Sequence, residues 1–226
     1  MNKEPSAKIL FLGKADDPHC IKALDHLLSI TPHVTSCFGK WGDALPTQAI
    51  TWSGHYIISY LSRWIVPMEL LGKAQIAAIN FHPAPPNYPG IGCFNFALYD
   101  EVEEYGITCH HMTPKVDAGK IIAVERFAVL PTDNVNSLIE RSYDAQFTLL
   151  KTVSKWIQSA SSFPHTNEKW TSPPRTRDEL NALSRITTSM NEIEISRRIR
   201  ATSFKDFQPY IELANYKFEY KPQSTH

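Results

Sequence analysis

Apolar residues fall in short unbroken runs separated by polar turns, the pattern of strands buried on both faces. Lys8–Gly13 (KILFLG) is the first such run and ends in glycine. Ile21, Leu24, Leu27 and Leu28 then recur at helical spacing, and Val34–Cys37 reads as a second strand. His55–Leu61 (HYIISYL) and Gln75–Asn80 (QIAAIN) are two more buried strands. Pro67–Leu71 between them suits a short helix, with proline tolerated in the first turn. Residues 106–113 (GITCHHMT) and 120–130 (KIIAVERFAVL) are strand-like and are joined by a loop holding Asp117 and Gly119. A long helix is predicted from Asp133 as N-cap, because Val135, Leu138, Ile139, Leu149, Leu150, Val153 and Ile157 fall near one stripe. Strands alternating with helices predict an α/β fold whose sheet is parallel at its centre.

Around Ser161–Pro174 the composition shifts to Ser, Pro, Thr and Trp, which divides the chain into a main domain, 1–160, and a small C-terminal subdomain, 161–226. In the latter, Arg177–Leu183 and Asn191–Ala201 suit short helices, and Tyr210–Tyr220 (YIELANYKFEY) suits a β-hairpin turning at Ala214–Asn215.

Composition narrows the partners. With 226 residues, 42% hydrophobic and 20% charged, the chain has room for one sizeable domain and an appendage. Lys plus Arg number 23 and Asp plus Glu number 23, so the broad basic field that suits nucleic acid or acidic membranes is missing. Cys20, Cys37, Cys93 and Cys109 form no C-x-x-C pair and read as free, buried thiols of a reducing cytosol. The apolar run near the amino end stops at Gly13, too short for a signal peptide, and no segment approaches the roughly 18 apolar residues of a membrane span. A cytoplasmic location with no membrane partner is expected.

The candidate chemistry lies in Ile79–Gly90, INFHPAPPNYPG. In an open α/β sheet, ligands bind beyond the carboxyl ends of the strands. Asn80 and His82 stand there, two apart on extended chain, and so face the same side. The prolines that follow fix φ and stiffen the loop. Asp117, in KVDAGK, can orient an imidazole and stabilise its protonated form. An Asn amide suits an oxyanion. An amide, an imidazole and a carboxylate together suit acyl transfer to an amine, with no Ser or Cys nucleophile if the donor is already activated. Lys14, following Gly13 at the end of the first strand, can meet a substrate phosphate or be a solvated turn lysine. Arg175, Arg177, Arg197, Arg198 and Arg200 can grip a pyrophosphate or lie on solvated helix faces. Trp170 and the hairpin read as packing or a dimer surface. A metal held by His82, His110 and Asp117 has only weak spacing behind it, so no metal is expected.

Asn80-x-His82-Pro83, then Tyr88-x-Gly90, then Gly106-x-Thr108-x-His110 leading to Asp117-x-Gly119, resembles the folate-dependent formyltransferase family over roughly residues 7–150. That family includes the glycinamide ribonucleotide and methionyl-tRNA enzymes. The resemblance implies a Rossmann-like domain with a mostly parallel sheet, Asn80, His82 and Asp117 as catalytic residues, and 10-formyltetrahydrofolate as donor. It implies a pterin bound largely through backbone at Leu61, Ser62, Arg63, Trp64 and Ile65. Of the adjacent His110 and His111, which face opposite sides of their strand, it favours His110 near the folate. Tyr88 and Gly90 join Lys14 as expected substrate contacts. HPAPPNYPGIGC departs from the Ser-Leu-Leu-Pro-like segment usual after the histidine, and is more similar to the enzymes that formylate nucleotide-linked amino sugars. PRTRDEL and the terminal hairpin resemble their short appendage. The expected activity is N-formylation of such a sugar in surface-glycan biosynthesis, by a homodimer. The alternatives are another amine acceptor, methionyl-tRNA or glycinamide ribonucleotide, and a hydrolase that gives water the acceptor's place.

Overall fold

A computed structural model describes residues 6–221; residues 1–5 of the amino-terminal segment considered above, and 222–226, lie outside it. The chain runs β1 (Ile9–Lys14), α1 (Pro18–Ile30), β2 (Val34–Gly39), α2 (Thr47–Ile50), β3 (Gly54–Tyr60), α3 (Met68–Leu71), β4 (Ala74–His82), α4 (Cys93–Tyr99), β5 (Glu104–His111), β6 (Ile121–Ala128) and α5 (Val135–Gln158). It ends with α6 (Arg177–Ser184), β7 (Arg185–Ile186), α7 (Glu192–Thr202), β8 (Tyr210–Leu213) and β9 (Tyr216–Glu219).

The central sheet has six strands in the order β2-β1-β3-β4-β5-β6. β1 pairs parallel with β2 and β3, and β3 with β4. β5 and β6 return antiparallel, which sets Asn80 opposite His110 and His82 opposite Thr108. Burial on both faces explains the apolar runs of β1 and β3, whereas β4, expected to be equally buried, leaves Ile76 60% exposed. On one face, α1 and α5 pack over Phe11, Ile58, Ile79 and Phe81 through Leu27, Leu149, Leu150 and Val153. On the other, Leu10, Leu12 and Ile57 are covered by Trp52 and by Leu70 of short α3. Each such side chain contributes roughly 1.5–3 kcal/mol. The N-cap of α5 is Asn134, one residue later than expected. Its side chain accepts from Ser137 N while the Ser137 hydroxyl takes the Asn134 N–H, a reciprocal box. Asp133 instead accepts from Leu130 N and pairs with Arg141.

The segment between α5 and α6 is a strap around the β6 edge. Lys120 Nζ lies 2.8 Å from His165 Nδ1, Arg126 pairs with Glu168, and Trp170 Nε1 donates to Gly119 O at 2.8 Å. The strap then bonds along the proline loop: Thr171 N to Pro86 O, Arg175 N to Pro89 O and Ile91 N to Arg175 O. Leu180, Leu183 and Ala201 share one core with Ala84, Tyr88 and Phe96, so residues from both sides of position 160 are packed together. The arginines of this region are largely engaged with the protein itself: Arg198 with Glu194 and the Leu183 carbonyl, Arg200 with Asp133 O, and Arg175 with Glu179.

The hairpin turns at Ala214 and Asn215, both left-handed at φ 48° and 67°. This is the backbone of a tight two-residue turn, which suits Asn and strains Ala. Ala214→Asn should therefore stabilise the hairpin by about 0.5–1 kcal/mol, read as several-fold slower hydrogen exchange at its cross-strand amides. Unchanged or faster exchange would mean the turn carries no such strain.

Candidate active site

Asn80 and His82 leave the carboxyl end of β4 on the same side, and the antiparallel return of β5 delivers His110 beside them. Asn80 Nδ2 lies 3.1 Å from His110 Nε2. His110 Nδ1 faces the His111 carbonyl at 2.9 Å, so that nitrogen carries a hydrogen. When the ring is neutral, Nε2 accepts from the Asn80 amide. When it is protonated, Nε2 donates instead to Asp117 Oδ1, 3.4 Å away.

The proline loop explains why an amide and an imidazole are followed by so much stiffness. Thr108 Oγ1 donates to Ala84 O at 2.7 Å and Tyr105 OH to Pro83 O at 3.1 Å. With the loop pinned, the Tyr88 carbonyl stands 2.8 Å from His82 Nε2. Gly90, at φ 86°, turns its N–H onto Asp117 Oδ2 at 2.8 Å. A Cβ on Gly90 would meet Arg175 O at 2.5 Å. His82 Nδ1 faces that same Oδ2 at 3.3 Å. Both nitrogens of His82 thus face acceptors. A neutral ring can donate to only one of them.

Asp117 is 7% exposed and held at φ 43°, a strained conformation for a residue with a Cβ. Burial raises its pKa, but the neighbouring His82 charge, the contacts with His110 and the Gly90 N–H outweigh burial, and the carboxyl is pushed down to about 2. Trp170 packs edge-on against both imidazoles, its ring 5.0 Å from that of His110 and 5.8 Å from that of His82. Burial pushes the nearby Cys93 thiol up to about 11, so it supplies no thiolate.

The structure brings Asn80, His82, His110 and Asp117 together. Tyr88 and Gly90 join them through backbone groups, and the Tyr88 hydroxyl is taken by Asp100 at 2.9 Å. Lys14 is paired elsewhere, with its Nζ 2.7 Å from Asp17 Oδ2. Leu61–Ile65 follows β3, beginning at a left-handed Leu61 with φ 53°. Trp64 packs against Gly39, its Nε1 bonded to Asp43 O, while Ile65 is 71% exposed and Arg63 lies over Trp41. The N–H groups of Ser62, Arg63 and Ile65 have no partner among the described residues. Sequence reasoning missed Trp170 as a member of the site. A lone tryptophan in a Ser/Pro/Thr stretch gives no signal of what it touches. A cavity of about 220 Å³ lies beside His111, lined by Tyr56, Lys120 and His165, and includes none of the Asn80 cluster. Among the described residues no group of His, Cys, Asp and Glu is placed to hold a metal, and no helix is long and apolar enough to cross a membrane.

The polar groups gathered at the carboxyl end of β4 stand where ligands bind in open α/β sheets. Residues 55–153 match the family described as Formyl transferase. It is 29% identical over 168 residues to GDP-perosamine N-formyltransferase of Brucella melitensis, covering 74% of this chain and 63% of that one. It is 32% identical over 134 residues to methionyl-tRNA formyltransferase of Latilactobacillus sakei, covering 58% of this chain and 39% of that one. The chain thus spans about two fifths to under two thirds of these relatives' length. The fold is shared with the N-formyltransferase of Helicobacter canadensis, solved with folinic acid and dTDP-3-aminofucose. There the TM-score is 0.76 at 19% identity, covering 92% of this chain and 85% of that one.

The depressed Asp117 pKa sets a sign for stability. The unfolded chain binds the proton first as pH falls, so the stabilisation is complete above about pH 5 and is lost as pH drops through about 2. The stability gap between the wild type and Asp117→Asn should shrink by about 2 kcal/mol across that window, measured by urea unfolding. A gap independent of pH would refute the assignment.

Proposed function

We propose that this protein transfers the formyl group of 10-formyltetrahydrofolate to the primary amine of a nucleotide-linked amino sugar. The observation that carries this is the convergence of Asn80, His82 and Asp117 at the carboxyl end of β4, within the segment of formyl transferase type. The likeness to GDP-perosamine N-formyltransferase, which extends over most of the chain, favours a sugar acceptor. The zero net charge gives no field for tRNA. The unpartnered N–H groups after β3 and the Asp117 loop form the two sides between which a pterin would lie.

In the reaction, the sugar amine attacks the formyl carbon and the carbonyl oxygen becomes an oxyanion. Asn80 gives one amide hydrogen to His110 and directs the other at that oxyanion. His82, neutral and hydrogen-bonded to Asp117 through Nδ1, turns Nε2 from the Tyr88 carbonyl to the amine and takes its proton. The resulting imidazolium is held by Asp117 on one side and by the Tyr88 carbonyl on the other. The tetrahedral intermediate then collapses. The C–N bond to the folate breaks as the His82 imidazolium gives its Nε2 proton to the folate nitrogen, which leaves as tetrahydrofolate and restores the neutral ring. Exposed Tyr216 and Phe218 on the hairpin support a homodimer.

The test is tetrahydrofolate release with a panel of nucleotide-linked amino sugars, methionyl-tRNA, glycinamide ribonucleotide and no acceptor. Release with an amino sugar alone, with a product heavier by one formyl group, is expected. Equal release without acceptor would indicate a hydrolase. Asn80→Ala and His82→Ala should each lower turnover by at least ~100-fold while the circular dichroism spectrum persists. Wild-type turnover in either variant would sink the assignment.

A further inference from the structure

We infer that Trp170 is a positioning residue for the Asn80–His82–Asp117 site, supplied by the strap rather than by the sheet. This role rests on the formyl-transfer function proposed above. One side chain touches both imidazoles of the site and the loop that carries Asp117. Its indole makes T-shaped contacts with the His110 ring at 88° and the His82 ring at 65°. Its N–H holds the Gly119 carbonyl, two residues beyond Asp117. Gly119 is itself wedged against the His111 carbonyl, where a Cβ would come within 1.7 Å, and that carbonyl is the one that fixes His110 Nδ1. The ring therefore fixes both imidazoles and, through Gly119, the backbone that carries their shared carboxylate. It also takes space that water would otherwise fill, and a drier surrounding strengthens the carboxylate–imidazole contacts. Trp170 cannot readily swing away. Thr171 N bonds Pro86 O at 3.2 Å and Ser172 Oγ bonds Asn87 O at 2.9 Å, so the following residues are anchored to the proline loop.

Two variants separate the ring from the N–H. Trp170→Ala removes both, and Trp170→Phe keeps a ring. With the acceptor identified by the panel, Trp170→Ala should lose about 10–100-fold in kcat with KM values within about threefold. Trp170→Phe should recover most of the loss. A second readout needs no substrate: hydrogen exchange at two adjacent amides. Gly90 N–H reports the bond to Asp117, and Ile91 N–H reports the bond to the strap at Arg175. In Trp170→Ala, Gly90 should exchange about tenfold faster while Ile91 stays protected. Unchanged Gly90 exchange would overturn the role. So would equal acceleration of both amides, which would show only that the strap had come loose. A wild type without turnover on any acceptor would defeat the formyl-transfer function, and the Gly90 and Ile91 rates would still decide what Trp170 holds.

Discussion

A carboxylate buried in a protein interior must be met by donors or lose its charge, and the site is arranged around that requirement. Asp117 is supplied by an amide hydrogen from Gly90 and by the His82 imidazole, and His110 joins as a donor only when its ring is protonated. To offer that amide, Gly90 adopts a backbone that excludes a side chain. To reach it, Asp117 itself sits in left-handed conformation. The proline loop is stiff because its carbonyl and amide groups, more than its side chains, are the tools. Tyr88 contributes an oxygen and Gly90 a hydrogen, and neither would stay in place on a flexible chain.

Much of the fold was legible because burial on both sheet faces leaves unbroken apolar runs, which β1 and β3 display. The hairpin was legible from Asn215 between two short apolar stretches. Others were not. Asp133 and Asn134 are both good caps, and only the reciprocal bond with Ser137 decides between them. Helix α4 opens on GCFNF directly after a turn-rich loop, and seven residues give too few turns for a periodic signal. Strand β7, only two residues long, owes its existence to pairing with β8.

The site divides in the same way. Two side chains at strand spacing beyond an apolar run are visible in a string of letters, and so is an acidic residue before Ala-Gly. Backbone donors and acceptors are not, since every residue but proline carries both. Nor is a tryptophan that arrives from beyond the long helix. Its place is set by contacts of the strap with β6 and the proline loop, which are non-local and leave no periodicity. The same strap gives the β6 edge side-chain cover that an exposed outer strand otherwise lacks.

The strap also fixes where this chain can be recombined with another. A graft joined at residue 160, where the composition changes, would exchange Trp170 and the Arg175 bridge along with the appendage. The recipient would then inherit a proline loop held by foreign residues. A junction placed after Arg175 and before the α6 cap at Thr176 keeps the loop with its own strap, and leaves the contacts of α6 and α7 with α4 as the surface to be matched. Chimeras meant to move acceptor preference between such proteins should be cut there.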